Sequence, residues 1–182
     1  MNELDKYRTI YSSTSDRWQR YGHTNHGRHA MPLVAGCGSL LDVGCGYNEF
    51  AIACRAQGIA AMGVDFACPG ADVIASAQAL PFSDKRYDMV TAFDMLEHLR
   101  PEEVRPVLRE LARVAERFVF SISYVPSVNK VEGEALHPTV RPEVWWIQRI
   151  AEAGGVVVKE GKYLTGTWKA EQAPPVAPGE SC

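Results

Sequence analysis

The stretch Leu40-Leu-Asp-Val-Gly-Cys-Gly-Tyr-Asn48 decides the fold of this chain. Its apolar residues predict a buried strand over 40–45 that ends at two glycines, Gly44 and Gly46, before a helix over 48–57. A glycine lets the backbone approach a ligand closely because it has no Cβ, and the helix that follows offers unpaired N–H groups. We therefore predict that a nucleotide-like cofactor binds at this turn.

Two acidic residues accompany the turn. Asp42, at the end of the strand, would attract an amino group or hydroxyls of the ligand, whereas a pyrophosphate would gain nothing from its charge. Asp65 ends the next apolar run and lies 19 positions after Gly46, a spacing at which a carboxylate accepts the hydroxyls of a ribose. A dinucleotide fingerprint requires a third small residue where this chain has Glu49, so a nicotinamide cofactor is disfavoured.

Four signatures follow one another in the order and at the spacing of successive β-α units. They are DVGCG, VDF, ALPF, and YDMV with LEHL, and they lie between about Leu40 and Tyr124. In this combination the chain resembles the class I S-adenosylmethionine-dependent methyltransferases of the type 11-like group. The resemblance implies an α/β fold, Rossmann-like and doubly wound, with a mostly parallel seven-stranded sheet and an antiparallel final strand. It also implies methyl transfer from S-adenosylmethionine, with S-adenosylhomocysteine as the product.

The resemblance assigns the residues that hold the cofactor. Asp42 and the glycine turn would hold its amino acid part, and Asp65 would hold the ribose. Ala77 and Gln78 would edge the adenine. The residues expected to bind the cofactor are, in full, Asp42, Gly44, Cys45, Gly46, Asp65, Phe66, Ser76, Ala77, Gln78 and Asp94.

Two positions depart from the commonest family pattern. Asn48 stands where a third glycine is common, and asparagine is the non-glycine residue that best adopts a left-handed backbone, so the turn can form. Ser76 stands where an acidic residue is common. A serine hydroxyl can bond an exocyclic amine, but more weakly than a carboxylate does.

Two histidines are candidates for the base that takes the proton of the acceptor. Methyl transfer is an in-line displacement that depends first on placing the acceptor, but a hydroxyl or amine must also lose a proton, which histidine can accept. His98 follows the fourth strand, and it either takes the proton or packs against the cofactor. His137 lies in the loop predicted over 125–140, and it is either the base or a loop histidine bonded to the backbone. We favour His137.

The histidines His23, His26 and His29 invite a metal interpretation. Gly22 and Gly27 argue against the regular helix that would place these side chains on one face, and no carboxylate or cysteine completes the set. We therefore expect no metal there and interpret the segment as a lid over the cofactor or acceptor.

The apolar pattern also predicts the elements downstream of the cofactor motif. Because Pro106 would break a helix interior, the regular part of the helix that follows the fourth strand is predicted to start near Glu103. In the last helix, Val144, Ile147, Ile150 and Ala151 are predicted to form the buried face with Trp146 in the core, while Trp145 is exposed and available to stack on an acceptor. The remaining predictions are strands over 61–66, near 72–76, over 87–93 and over 117–124, a helix over 141–153, and a hairpin that turns at Gly161.

Length and composition bound the other possibilities. The 182 residues, 46% of them hydrophobic, fit one methyltransferase domain over 1–182, with an N-terminal helical cover over 1–31 and a disordered tail over 170–182. Nineteen basic and 22 acidic side chains give a formal charge of −3, which offers no general attraction to nucleic acid. Without a signal peptide, a run of ~18 apolar residues or a C-x-x-C pair, the chain is expected to be cytoplasmic, with its five cysteines reduced.

Three functions remain open from the sequence. The first is methylation of an oxygen or nitrogen of a small molecule, such as a sugar or another hydroxylated metabolite. The second is methylation of a nucleic acid or protein, which is not favoured. The third is a non-catalytic partner subunit that binds S-adenosylmethionine, and the oligomeric state stays open. The second function would use a local basic rim of Arg17, Arg20, Arg28 and Arg141.

Overall fold

The computed structural model describes residues 3–13 and 29–169. These residues form five α-helices, nine strands and a 3₁₀ turn over Leu96–His98. The helices are α1 (Glu3–Ser12), α2 (Met31–Val34), α3 (Glu49–Ala56), α4 (Pro101–Val114) and α5 (Glu143–Glu152). The strands are β1 (Ser39–Val43), β2 (Ala60–Asp65), β3 (Val73–Ile74), β4 (Tyr87–Phe93), β5 (Ala115–Ser121), β6 (Lys130–Val131), β7 (Glu134–Ala135), β8 (Gly155–Glu160) and β9 (Tyr163–Trp168).

Seven of the strands form one sheet, in the order β3-β2-β1-β4-β5-β9-β8. The first five run parallel, and the final strand, β9, runs antiparallel to both of its neighbours, β5 and β8. The predicted fold class is confirmed. The predicted hairpin is confirmed as well, since β8 and β9 are joined at Gly161, which has φ +63°. The chain order reverses between β1 and β4, and ligands of such sheets bind beyond the strand ends at this point.

Two hydrophobic cores cover the two faces of the sheet. On one face, α4 and α5 pack through buried residues such as Leu111, Trp146 and Ile150. On the other face, α2 and α3 pack through Val34 and Cys54. Helices on both faces bury parallel strands completely, which explains why these strands are nearly continuous apolar runs.

A third, smaller cluster fixes α1 at the cofactor edge of the sheet. Tyr7 and Ile10 of α1 pack against Val131 and Leu136 of the β6–β7 hairpin and the residue after it. The segment predicted as a loop over 125–140 therefore contains a short two-stranded hairpin. The predicted cover over 1–31 includes α1, and its residues 14–28 lie outside the described residues. His23, His26 and the predicted tail over 170–182 lie outside the described residues as well.

Helix α4 begins at Pro101, so the predicted start near Glu103 was wrong, and Pro106 lies inside the helix. Pro101 suits the first helical position because its missing N–H would have no partner there. Pro106 removes one hydrogen bond in the second turn, at a cost of about 3 kcal/mol. Burial of a large apolar side chain contributes about 1.5 to 3 kcal/mol, and α4 has five such residues on its packing face: Val104, Val107, Leu108, Leu111 and Val114. Packing therefore outweighs the proline.

The predicted buried face of α5 was also wrong in part. Val144 is 70% exposed and Ala151 is exposed, whereas Trp146 and Ile150 are fully buried. Apolar residues lie on more than one face of α5, so their spacing alone does not determine which face packs against the sheet. Within the described residues, no helix has both the length and the apolar character that a membrane crossing requires.

Candidate active site

The glycine turn after β1 adopts the left-handed conformations that its sequence predicts. Gly44, Gly46 and Asn48 have φ angles of +75°, +53° and +68°, so Asn48 replaces the common third glycine without losing the turn. The N–H groups of Gly44 and Cys45 both donate to the carbonyl oxygen of Val64, at 2.8 and 3.1 Å. The turn is thereby fixed to the end of β2.

Asp65, the predicted ribose ligand, lies at the end of β2 and organises the same turn. Its Oδ1 accepts the N–H groups of Ala67 and Cys68, each at 2.9 Å. Its Oδ2 accepts the N–H of Gly46 at 3.2 Å and the hydroxyl of Tyr11 at 3.4 Å. A ribose hydroxyl that binds Oδ2 would take the place of Tyr11, a contact that the sequence did not reveal.

Asp65→Ala is expected to weaken S-adenosylmethionine binding by about 1.5 to 3 kcal/mol, the range for a lost charge-assisted hydrogen bond. Isothermal titration measures this. Asp88→Ala is the matched control, because Asp88 also accepts two backbone N–H groups, from Gly38 and Ser39, but at the opposite end of β1. Unchanged affinity in Asp65→Ala, or an equal loss in Asp88→Ala, would contradict the ribose assignment.

Asp42 does not line the cavity at the C-terminal ends of the parallel strands. It is 3% exposed, and its Oδ1 accepts the hydroxyl of Thr91 at 2.6 Å. Burial raises the pKa of Asp42 to about 7, against the hydrogen bond from Thr91. Its predicted contact with the amino acid part of the cofactor stays a prediction.

Asp42→Asn is expected to raise the free energy of unfolding by about 2 to 4 kcal/mol at pH 8 and to leave it nearly unchanged at pH 4. The folded-state pKa of about 7 lies above the ordinary value of 3.8, so the folded state holds the proton more tightly. Wild-type stability therefore falls as pH rises between these values, whereas asparagine does not ionise. Urea unfolding at the two pH values measures the difference, and an equal difference at both would be evidence against a buried, ionising Asp42.

A cavity of about 590 Å³ lies at the C-terminal ends of the parallel strands. Helix α1 contributes Leu4, Tyr7 and Tyr11 to its lining, and the histidine candidates His98 and His137 line it too. Nine of the ten predicted cofactor residues line the same cavity: Gly44, Cys45, Gly46, Asp65, Phe66, Ser76, Ala77, Gln78 and Asp94. The fold thus brings the glycine turn, the predicted ribose ligand and both candidate bases into one space.

The adenine candidates form a turn at the edge of the cavity. The N–H of Gln78 bonds the hydroxyl of Ser76 at 3.2 Å, and the side-chain amide of Gln78 donates to Glu103 at 2.9 Å. Ser76 therefore already serves the backbone, and Glu103, which lines the cavity, holds Gln78 in place. The assignment of Ser76, Ala77 and Gln78 to the adenine stays a prediction.

His98 is held in a fixed orientation. Its Nδ1 lies 2.6 Å from the hydroxyl of Tyr7, and its ring also bonds the backbone of Leu136. Enclosure away from bulk water, with a smaller contribution from the nearby His137, lowers the pKa of His98 to about 3. A histidine with so low a pKa is neutral but a weak base, which makes it the poorer candidate for accepting a proton.

His137 is better placed to accept a proton. Its Nδ1 lies 2.9 Å from the carbonyl oxygen of Val125. A carbonyl oxygen only accepts, so Nδ1 carries the hydrogen and Nε2 carries the lone pair. The rings of His98 and His137 meet edge to face with centroids 4.7 Å apart.

Glu97 is a buried acid that sequence reasoning did not single out, although it precedes His98 in the LEHL signature. Its Oε1 accepts the N–H of Ser123 at 3.0 Å, and its Oε2 is buried without a hydrogen-bond partner among the described residues. Burial, with a smaller contribution from the charge of Asp94, raises the pKa of Glu97 to about 8.

Trp145 does not line the cavity, and its predicted stacking on an acceptor stays a prediction. Its ring lies beneath the guanidinium groups of Arg141 and Arg149, at 5.9 and 5.3 Å from the centroid, and meets Trp146 edge to face at 5.0 Å. Trp146 is fully buried, as predicted. Of the predicted basic rim, Arg17, Arg20 and Arg28 lie outside the described residues.

Residues 16–157 match a family model described as a methyltransferase domain. The match covers well over half of the chain. The chain belongs to this methyltransferase family. The prediction that the chain is a class I S-adenosylmethionine-dependent methyltransferase is confirmed. No curated protein sequence matches it.

Solved structures with the same fold are similar to this chain at low sequence identity. Magnesium protoporphyrin IX methyltransferase from Synechocystis PCC 6803, with bound SAH, is 17% identical, covers 91% of this chain and 94% of its own, and has a TM-score of 0.63. A 1,6-didemethyltoxoflavin-N1-methyltransferase from Burkholderia thailandensis is 16% identical, covers 92% and 90%, and has a TM-score of 0.65. The PH0226 protein from Pyrococcus horikoshii OT3 is 18% identical, covers 93% and 100%, and has a TM-score of 0.64.

Proposed function

We propose that this methyltransferase transfers the methyl group of S-adenosylmethionine to an oxygen or nitrogen of a small molecule bound at the His137 end of the cavity. The observation that carries the proposal is the single cavity that extends from Asp65 to His137 beneath α1. A cofactor on Asp65 and an acceptor beside His137 would share this space. The Synechocystis and Burkholderia methyltransferases are named for small molecules, magnesium protoporphyrin IX and 1,6-didemethyltoxoflavin, which supports an acceptor of this class.

The residues of the chain fit the cofactor. The Gly44–Gly46 turn and the carboxylate of Asp65 line the cavity side by side, and a Cβ at Gly44 would overlap the side chain of Met95, which lines the cavity too. When bound there, S-adenosylmethionine supplies an electrophilic methyl group on a sulfonium sulfur. Transfer to the acceptor would break the carbon–sulfur bond and leave its electron pair on the sulfur.

The protein contributes position, water exclusion and proton removal to this reaction. Tyr7 and Tyr11 of α1 close the cavity on one side, and the apolar residues Phe66, Phe93 and Met95 contribute to its wall. Nε2 of His137 accepts the proton that the acceptor loses, because the bond from Nδ1 to Val125 fixes the required tautomer. His98, held by Tyr7, is a positioning residue for the same end of the cavity.

A labelled-methyl screen tests this function. The wild-type chain is incubated with S-adenosylmethionine labelled at the methyl group and with separate pools of hydroxylated metabolites, amines, RNA and protein. The proposal predicts label in a small-molecule fraction. Label confined to RNA or protein would contradict it, and so would the absence of transfer by a chain that binds the cofactor, which is the result expected of a non-catalytic subunit.

A further inference from the structure

Three potential metal ligands converge at the acceptor end of the cavity. One carboxylate oxygen of Glu97 and one ring nitrogen each of His98 and His137 all lie within 4.8 Å of one another. Glu97 and His98 come from the 3₁₀ turn after β4, and His137 comes from the segment between β7 and α5. Residues distant in the sequence are thus brought together beside the proposed acceptor position.

Glu97 gives an independent indication that a ligand belongs here. Its side chain is fully buried, and its Oε2 is without a hydrogen-bond partner among the described residues. A buried polar atom without a partner costs about 1 to 3 kcal/mol, so native proteins rarely retain one without a reason. A cation between Glu97 and the two histidines would satisfy this oxygen.

The surroundings of the cluster match those of metal-binding histidines. A ligand histidine generally donates its other ring N–H to a carbonyl or another oxygen, which fixes the ring. Nδ1 of His137 bonds the carbonyl of Val125, and Nδ1 of His98 bonds the hydroxyl of Tyr7. The ring of His98 also bonds the backbone of Leu136, and a cation would replace that contact. Asp94, which also lines the cavity, adds negative charge next to both Glu97 and His98.

We propose that Glu97, His98 and His137 bind a divalent first-row transition metal cation at the acceptor end of the cavity. The sequence predicted no metal, and the metal interpretation weighed there concerned other histidines, His23, His26 and His29. A set of imidazole and carboxylate ligands suits Zn²⁺, Fe²⁺, Co²⁺ or Mn²⁺ better than it suits Mg²⁺ or Ca²⁺, because the last two prefer ligands that are all oxygen. Three protein ligands leave at least one position open for an oxygen of the acceptor.

The role of the cation in catalysis rests on the proposed function. It narrows the class of acceptor, because a cation at this position favours a hydroxylated molecule. A hydroxyl bound to a divalent cation loses its proton more readily, because the cation stabilises the negative oxygen. Binding uses the lone pair of His137 that accepts the proton in the cation-free protein. The proton of a cation-bound hydroxyl would instead pass to water. Two neighbouring hydroxyls, as in a sugar, could bind the cation together.

The test measures binding of Co²⁺ alone, without cofactor or acceptor. It uses a background that carries His23→Gln, His26→Gln and His29→Gln, so that this segment cannot contribute. Equilibrium dialysis gives the stoichiometry, and the visible absorption of Co²⁺ reports nitrogen and oxygen ligation. We expect one Co²⁺ per chain, competition by Zn²⁺, and a dissociation constant that rises by at least about 10- to 100-fold in Glu97→Gln and in His137→Gln.

Glu143→Gln is the control, because it removes a carboxylate that bonds Lys159 and is not one of the three proposed ligands, and its Co²⁺ affinity should be unchanged. Retained binding of S-adenosylhomocysteine shows that each variant is folded. Failure of Co²⁺ to bind, or binding that Glu97→Gln and His137→Gln leave unchanged, would overturn the cation site. If Co²⁺ fails to bind while the methyl screen succeeds, only this inference falls. Co²⁺ binding without any methyl transfer would keep the site and remove the proposed function.

Discussion

His137→Ala is expected to lower kcat by ~10²- to 10⁴-fold while the affinity for S-adenosylmethionine stays nearly the same. The lost interaction belongs to the transition state, because Nε2 of His137 takes the proton only as the acceptor reacts. His137 must be unprotonated to act, so wild-type kcat should fall toward acid pH and the variant should lose this dependence. The assay contains EDTA, so that no cation takes over the proton step.

Two histidine variants serve as controls for this result. His29→Ala removes an exposed histidine that does not line the cavity, and it should leave kcat unchanged. His98→Ala removes the partner of Tyr7 and should lower kcat with the acid dependence intact, as expected of a positioning role. Full activity of His137→Ala would contradict the assignment of the base, and a wild-type enzyme inactive in EDTA would assign proton removal to a bound cation.

Gly44→Val is expected to weaken S-adenosylmethionine binding by more than about 100-fold, beyond the effect of Asp65→Ala. The φ angle of +75° is a genuine outlier for a β-branched residue, and the added Cβ would contact the side chain of Met95. The side chain would also fill space where the backbone must approach the ligand. Isothermal titration measures the affinity, and thermal unfolding measures the accompanying loss of stability.

Gly36→Val separates backbone strain from occupied space. Gly36 has φ +78°, close to that of Gly44, but a Cβ there would have no atom within 4 Å. It should therefore show a similar strain penalty in thermal unfolding and normal cofactor affinity. Equal cofactor affinity in Gly44→Val and Gly36→Val would show that the turn is not the binding site.

The parts of the site that the sequence predicted are those with a local cause. Gly44, Gly46 and Asn48 must take left-handed conformations because of their position between a strand and a helix, and the sequence shows both elements. Asp65 follows from its spacing after the glycines. The C-terminal ends of parallel strands meet at one edge of the sheet. A correct prediction of the fold therefore also brings the predicted cofactor residues together, and nine of the ten line one cavity.

The parts that the sequence did not reveal depend on contacts between distant segments. The bonds from Tyr11 to Asp65 and from Tyr7 to His98 require the docking of α1, which no local pattern specifies. The same is true of Asp42, which the sequence placed near the ligand but which bonds Thr91 of the neighbouring strand. Glu97 resembles an ordinary surface acid in the sequence, and only its burial sets it apart.

A crystal structure with bound S-adenosylhomocysteine is the decisive measurement for the proposed site. We expect the ribose hydroxyls to bond Asp65, the adenine to lie beside Ser76, Ala77 and Gln78, and the sulfur to face His137 across the cavity. Such an arrangement would place the methyl group of S-adenosylmethionine next to the acceptor. A product bound outside this cavity, or one whose sulfur faces away from His137, would contradict the proposed site.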